Sequence, residues 1–247
     1  MICFLTSSTV IPGTETLNPA NRFIDMLREY LPKPCRTLFI CSDPDHSEGT
    51  DRFADSVKQS FKEAGFPFQL LVVLDSRNEN SAAELVKEAD LIILAGGHVP
   101  TQNRFFRRIG LRNLLREYDG IVIGISAGSM NSADVVYAQP EEKGEAADPG
   151  YEKFLPGLGL TKTMILPHYQ MVKDDILDGQ RLFEDITLPD SIGRTFYAIP
   201  DGSYLLIESG TETLRGEAYE IRDGRLRRIA ESGDVLTLGN TRIGSDM

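Results

Sequence analysis

The chain has 247 residues, 41% of them hydrophobic and 26% charged, with a formal net charge of −11. That length and composition suit one large α/β domain or two small ones, with a core that needs no staple. The acidity argues against nucleic acid, whose phosphates need a basic face, and no apolar run has the length of a membrane span.

Short apolar runs at residues 2–6, 37–41, 69–74, 91–95 and 121–125 alternate with amphipathic stretches at 21–30, 51–64, 81–88 and 101–117. The βαβαβαβαβ order predicts a parallel sheet with helices on both faces, which is why the runs are continuously apolar. The first run is too short for a signal peptide and no basic region precedes it. Cys3, Cys35 and Cys41 are odd in number, and their spacing fits neither a disulfide framework nor a zinc site. Cys3 and Cys41 fall in expected buried strands, where free thiols act as small hydrophobes, which suggests a reducing compartment; with no signal peptide or membrane span the protein reads as cytoplasmic.

The second half is less regular. Residues 139–150 are polar, acidic and contain Gly and Pro, as a loop does. Residues 164–166 read as a short strand ending at Pro167-His168, and 174–185 as a helix. Strands at 195–199 and 204–207 are joined by the turn signal Pro200-Asp201-Gly202. An edge hairpin follows at 217–221 and 225–229 around Asp223-Gly224, and the chain from Thr211 on either completes the sheet or mediates contacts. With no internal repeat, low-complexity tract or linker, residues 1–247 read as a single domain.

The chemistry gathers where strands end. Gly124-Ile125-Ser126-Ala127-Gly128 follows one strand and precedes a helix start. G-x-S-x-G in that context is a nucleophile elbow, a tight turn that lifts a serine oxygen above the sheet. The run at 91–95 ends in Gly96-Gly97-His98, where a doubly wound sheet collects ligands. Glycine lets the backbone approach a substrate, so the Gly97 and Ala127 N–H groups are the expected oxyanion hole. No Gly-Lys-Ser/Thr follows, which excludes a phosphate loop.

A serine needs a neighbouring base. Of His46, His98 and His168, the last arrives at a strand end and is the candidate; His98 lies where it would contact substrate, and His46 sits in a polar loop. The third member would be a carboxylate orienting the imidazole. Glu141, Glu142, Glu145 and Asp148, in the acidic loop, are candidates that sequence alone barely separates.

Gly-Ile-Ser126-Ala-Gly-Ser, Ala-Gly96-Gly97, Leu-Pro-His168-Tyr and Ile-Pro-Asp201-Gly-Ser-Tyr occur in that order over roughly residues 1–210. Together they resemble the peptidase E family of serine peptidases, which includes α-aspartyl dipeptidase and, as a relative, cyanophycinase. The resemblance implies an α/β fold with a flavodoxin-like, doubly wound, mostly parallel sheet, like class I glutamine amidotransferases. It also implies a Ser-His-acid site with no metal and no other cofactor, a small peptide substrate containing aspartate, and a homodimer. The family's acid lies about fifteen residues after the serine, which lands on Glu141, with Glu145 next. Gly96, His98 and Gln102 take substrate-facing places in the glycine loop. Arg181 falls in a stretch resembling the one that holds a substrate carboxylate, the alternative being a surface ion pair.

The sequence departs from the family at Gly96-Gly97-His98-Val99-Pro100-Thr101-Gln102 and at Ala138-Gln139-Pro140-Glu141. Both stretches face substrate, so aspartyl specificity is where the resemblance weakens. The reading is therefore amide hydrolysis through an acyl-enzyme. A glutamine amidotransferase would carry cysteine at the elbow and usually His-x-Glu, where this chain has Ser126 and His168-Tyr169-Gln170. An α/β-hydrolase esterase shares the motif but opens on antiparallel strands. A catalytically inactive ligand-binding protein on the same fold is the alternative from another class.

Overall fold

The computed structural model describes residues 1–239. Its first half follows the alternation of apolar and amphipathic stretches. Strands β1 (Ile2–Thr6), β2 (Arg36–Ile40), β3 (Leu70–Leu74), β4 (Leu91–Leu94) and β5 (Ile121–Ile125) are separated by helices α1 (Phe23–Tyr30), α2 (Ser47–Glu63), α3 (Ala82–Glu88), α4 (Val99–Arg108) and α5 (Leu111–Leu114). The last two replace the single helix expected at 101–117, because Gly110 takes a left-handed φ of 66° between them.

The five strands pair in parallel in the order β1-β5-β4-β2-β3. β1, the first strand of the chain, thus pairs with β5, the last of the five, and β3 lies at the far edge. Each strand sends alternate side chains to opposite faces. On one face Cys3, Leu5, Leu38, Ile92, Leu94 and Val122 pack with α3, α4 and α5. On the other, Phe4, Phe39, Leu91, Ile93 and Ile123 meet Phe23, Met26 and Leu27 of α1 and Val57 and Phe61 of α2. All are buried, so both faces are dry and the strands carry no polar alternation.

The second half adds short elements: α6 (Ala127–Met130), β6 (Val135–Tyr137), β7 (Phe154–Pro156), β8 (Met164–Leu166), α7 (Tyr169–Val172), β9 (Ile176–Leu177), β10 (Gln180–Arg181), β11 (Thr195–Ala198), β12 (Tyr204–Glu208), β13 (Thr211–Arg215), β14 (Ala218–Arg222), β15 (Arg225–Ala230) and β16 (Val235–Thr237). β12, β13 and β16 continue the large sheet antiparallel from β1, giving eight strands. Part of the chain beyond Thr211 therefore does complete the sheet; its last residues, 240–247, lie outside the described part. A second sheet has the order β15-β14-β11-β8, with the expected hairpin at its edge. Its inward residues Ile165, Ala218 and Ala230 join one face of the large sheet.

Residues 174–185 do not form the expected helix. Asp178 and Gly179, at φ of 51° and 82°, turn the chain into the hairpin β9–β10, and a π-helical turn at Leu182–Thr187 follows. An Asp-Gly pair supplies the two positive φ values that a tight hairpin needs, and here it outweighs the apolar periodicity. The β6–β7 pair was not legible either: two three-residue strands, one ending in proline, carry too little pattern.

Candidate active site

Parallel strands deliver their carboxyl ends to one rim. Thr6 lies opposite Ile125, and Leu94 opposite Gly124, so the residues just beyond β1, β4 and β5 converge. These are Ser7, Gly96-Gly97 and Ser126. Ser126 sits between β5 and α6 with φ 50° and ψ −112°, a conformation a non-glycine residue adopts only when its surroundings impose it. Here they do: Ser126 N–H donates to Thr6 O at 3.1 Å, and Ser129 and Met130 N–H return to Ser126 O at 2.8 and 3.0 Å. Gly128 lets α6 lie against β4; a Cβ there would stand 2.3 Å from Leu94 O.

The glycine loop is equally close. A Cβ on Gly96 would touch Ser126 Cβ at 3.4 Å, which places that loop beside the serine. Gly97 has φ 148°, and a Cβ would meet Ser42 Oγ at 2.3 Å. Among the described residues neither Gly97 N–H nor Ala127 N–H has a hydrogen-bond acceptor. The amide directly after Ser126 and one in the neighbouring glycine loop are thus left without a protein acceptor.

His168 arrives from the second sheet. Leu166 of β8 pairs with Ala198 of β11, so the segments leaving these two strands emerge side by side. One carries His168, at φ 98°, and the other carries Asp201. β12 runs antiparallel to β1 with Tyr204 opposite Thr6, which brings the residues before β12 to the end of β1. Asp201 thus meets Ser7 and His168 together. His168 Nδ1 lies 2.7 Å from Asp201 Oδ1, and Ser7 Oγ donates to the same oxygen at 2.6 Å. An ionised carboxylate only accepts, so Nδ1 carries the proton and Nε2 is left as the basic nitrogen. Burial alone would raise the Asp201 carboxyl, whose side chain is 6% exposed; the hydrogen bonds from His168 and Ser7 outweigh it and hold the carboxyl below its ordinary value.

Ser126 and His168 line one cavity of about 260 Å³, together with Glu141, Asp175 and apolar residues that include Val99 and Leu177. Among the described residues neither Ser126 Oγ nor His168 Nε2 makes a hydrogen bond, so both stay available to a third group in that cavity.

Glu141, the expected carboxylate for the imidazole, is occupied otherwise. It accepts from Val99 N–H at 3.0 Å, and burial pushes its carboxyl above the ordinary value against that amide's pull. The carboxylate on His168 is Asp201. Sequence reasoning read Pro200-Asp201-Gly202 as a turn, and it is one; only the antiparallel return of β12 makes it a partner. Ser7 carried no signal.

Glu145 accepts the N–H groups of Glu141 and Glu142, each at 2.9 Å, and contacts His98 Nε2 at 2.8 Å. These bonds overcome desolvation and lower its carboxyl. His98 is held on its other nitrogen by Thr101 Oγ1 at 2.8 Å, so both ring nitrogens are engaged inside the protein and it does not line the cavity. His98, Glu142 and Glu145 bring ligand atoms within 4.8 Å of one another, but a cation there would have to displace the His98–Glu145 hydrogen bond.

Gln102 is fully buried. It donates to Ala95 O at 2.7 Å and accepts from Asn131 at 3.0 Å, so it braces the glycine loop from beneath and has no free polar end for substrate. Arg181 is exposed and forks onto Asp185, at 2.6 and 3.0 Å, outside the cavity lining. It is the surface ion pair.

Comparison with known proteins agrees with this architecture. The chain aligns with a crystal structure of a peptidase from an acI-B1 Actinobacterium at a TM-score of 0.68 and 18% identity, covering 96% of each chain. A Listeria monocytogenes EGD-e protein described as a candidate peptidase E aligns at 0.53 and 19% identity, over 93% of this chain and 98% of that one. At such identities these likenesses speak to the fold. No curated protein matches the sequence. The sequence does match peptidase family S51 from residue 3 to residue 215, and the chain belongs to that family.

Proposed function

We propose that the protein is a serine peptidase that hydrolyses amide bonds of short peptides through an acyl-enzyme. Membership of family S51 supports peptidase chemistry. The observation that carries the mechanism is that Ser126, on its strained bend, shares one cavity with His168, and that Asp201 holds His168 Nδ1.

In this reading Ser126 sits on a nucleophile elbow and attacks the scissile carbonyl while His168 Nε2 takes its proton. The carbonyl oxygen gains charge between the Gly97 and Ala127 N–H groups. The tetrahedral intermediate collapses with the amine leaving, protonated by His168. Water, deprotonated by the same nitrogen, then attacks the acyl-serine and frees the acid. Asp201 stays ionised throughout, fixing the tautomer and offsetting the charge on the imidazolium.

A cavity of about 260 Å³ is small beside the roughly 300–1,000 Å³ of drug-sized sites, which suits a short peptide rather than a folded one. Among the described residues that line it there is no lysine or arginine, so aspartyl specificity lacks the cation it would require. The three cysteines are free and buried, which is consistent with a reducing, cytoplasmic setting. Among the described residues no helix is long and apolar enough to cross a membrane.

Hydrolysis of a dipeptide panel tests the mechanism. Ser126→Ala should lower kcat by at least about a thousandfold, with folding unchanged by circular dichroism. Parent-like turnover by that variant would overturn it.

A further inference from the structure

We infer that Glu141 is a specificity residue that anchors a primary ammonium group of the substrate beside Ser126. This rests on the peptidase reading above and adds the substrate class to it.

Four observations carry it. First, Asp201 already holds His168 Nδ1, so the Glu141 carboxylate is not needed to orient the imidazole. Second, one oxygen of Glu141 is fixed by Val99 N–H at the start of α4, while among the described residues its other oxygen has no hydrogen-bond partner. The side chain is therefore positioned yet keeps an acceptor for something else. The residue as a whole is exposed, and it lines the cavity that Ser126 also lines. Third, Asp175 is a second acidic residue lining that cavity, and among the described lining residues only His168 is able to carry positive charge. Fourth, Arg181, the residue expected to attract a substrate carboxylate, is forked onto Asp185 instead.

Coulomb's law then decides the sign of the substrate. A carboxylate entering this cavity would approach two like charges in a partly dehydrated space, while an ammonium would meet an ordered acceptor. The Glu141 carboxyl is partly desolvated, and a bound cation would relieve that penalty. The ammonium can come from the free amino terminus of a short peptide or from a lysine side chain. Both present the same N–H donors to the free oxygen.

The experiment compares kcat and KM on Ala-Ala, Lys-Ala, Asp-Ala, N-acetyl-Ala-Ala and N-acetyl-Lys-Ala for the full chain and for Glu141→Gln and Glu141→Lys. The parent should prefer Ala-Ala and Lys-Ala over Asp-Ala. Glu141→Gln should raise KM on the preferred peptides about tenfold with kcat little changed, the scale of a lost hydrogen bond to a charge. Glu141→Lys should move the preference toward Asp-Ala. Loss of activity on acetylation of both peptides identifies the amino terminus as the source; a preference for Lys-Ala over Ala-Ala that survives acetylation identifies the lysine side chain.

Preference of the parent for Asp-Ala, or an equal fall in kcat on every peptide in Glu141→Gln, would overturn the inference while leaving Ser126-dependent hydrolysis intact. Calorimetric binding to Ser126→Ala separates the two readings. Tighter binding of Ala-Ala than of N-acetyl-Ala-Ala, or of N-acetyl-Lys-Ala than of N-acetyl-Ala-Ala, supports the ammonium contact even if the parent hydrolyses nothing, in which case the peptidase reading fails alone. Equal or absent binding of all three overturns the contact.

Discussion

Ser7 belongs to no motif, yet its fully buried hydroxyl donates to the carboxylate that holds His168. It lies 3.4 Å from His168 Nδ1 as well, so it fixes where Asp201 can sit relative to the ring. A buried carboxylate pays a desolvation penalty unless its oxygens find donors, and Ser7 and His168 supply two. Asp201→Asn should keep the shape but present an amide to Nδ1, favouring the tautomer that places the proton on Nε2. By analogy with serine triads, kcat should fall by about 10³- to 10⁴-fold. Ser7→Ala should lower kcat about tenfold with KM little changed, since the residue acts on the base and not on substrate. Steady-state kinetics on a cleaved dipeptide checks both. An Asp201→Asn variant within a factor of three of the parent would falsify the assignment of that carboxylate.

At the scale of elements, the cavity wall depends on a clasp between two segments with little regular structure. The β9–β10 hairpin supplies Ile176 and Leu177 to the lining, and the acidic loop supplies Gln139, Pro140 and Glu141. Asp178 ties them: its carboxylate accepts Gly144 N–H at 2.9 Å and Ala146 N–H at 3.1 Å, and Gln180 donates to Ala146 O at 2.8 Å. Asp178 also occupies the first positive-φ position of the turn. Glycine tolerates that φ, so Asp178→Gly keeps the turn and removes only the clasp. KM should rise by roughly three- to tenfold with a smaller change in kcat, and the Gly144 and Ala146 amides should exchange faster. Unaltered exchange at those amides would mean that the clasp does not order the loop.

For the whole molecule, the site is a meeting of two sheets. Ser126 and the glycine loop stand on the rim of the large sheet, and His168 comes from the small one. The two are joined by buried contacts among Ile165, Ile199, Ala218 and Ala230 and one large-sheet face. Asp201 sits at that junction, so its ionisation is linked to folding. Its carboxyl is lowered in the folded state, so the stability it adds is fully present above its unfolded pKa, about 3.9, and is lost as pH falls through the folded value. Asp185, lowered to about 2 by Arg181, works in the same direction, but exposure and screening leave it little weight. Glu141 opposes them, because its raised carboxyl is relieved by protonation. The net expectation is a urea midpoint that falls as pH drops below about 4, and falls less in Asp201→Asn. An identical slope in that variant would remove Asp201 from the linkage.

The amino-acid sequence by itself determined the parallel half of the fold, because continuous apolar runs separated by amphipathic stretches admit few other arrangements. It also marked the turns at Ser126 and Gly96-Gly97, since such conformations depend on neighbours within a few residues. His168 was legible as the histidine that follows a short strand, and the structure places it just beyond β8. What only the tertiary structure decided is the carboxylate. Asp201 stands 33 residues beyond His168, and it reaches the ring only because β8 and β11 are parallel while β12 runs back against β1. Glu141, at a spacing that suited the role, is drawn instead to the amide at the start of α4. Local pattern encodes turns and faces; which charge meets which imidazole is set by strand direction across the sheets, and that is a property of the packed chain.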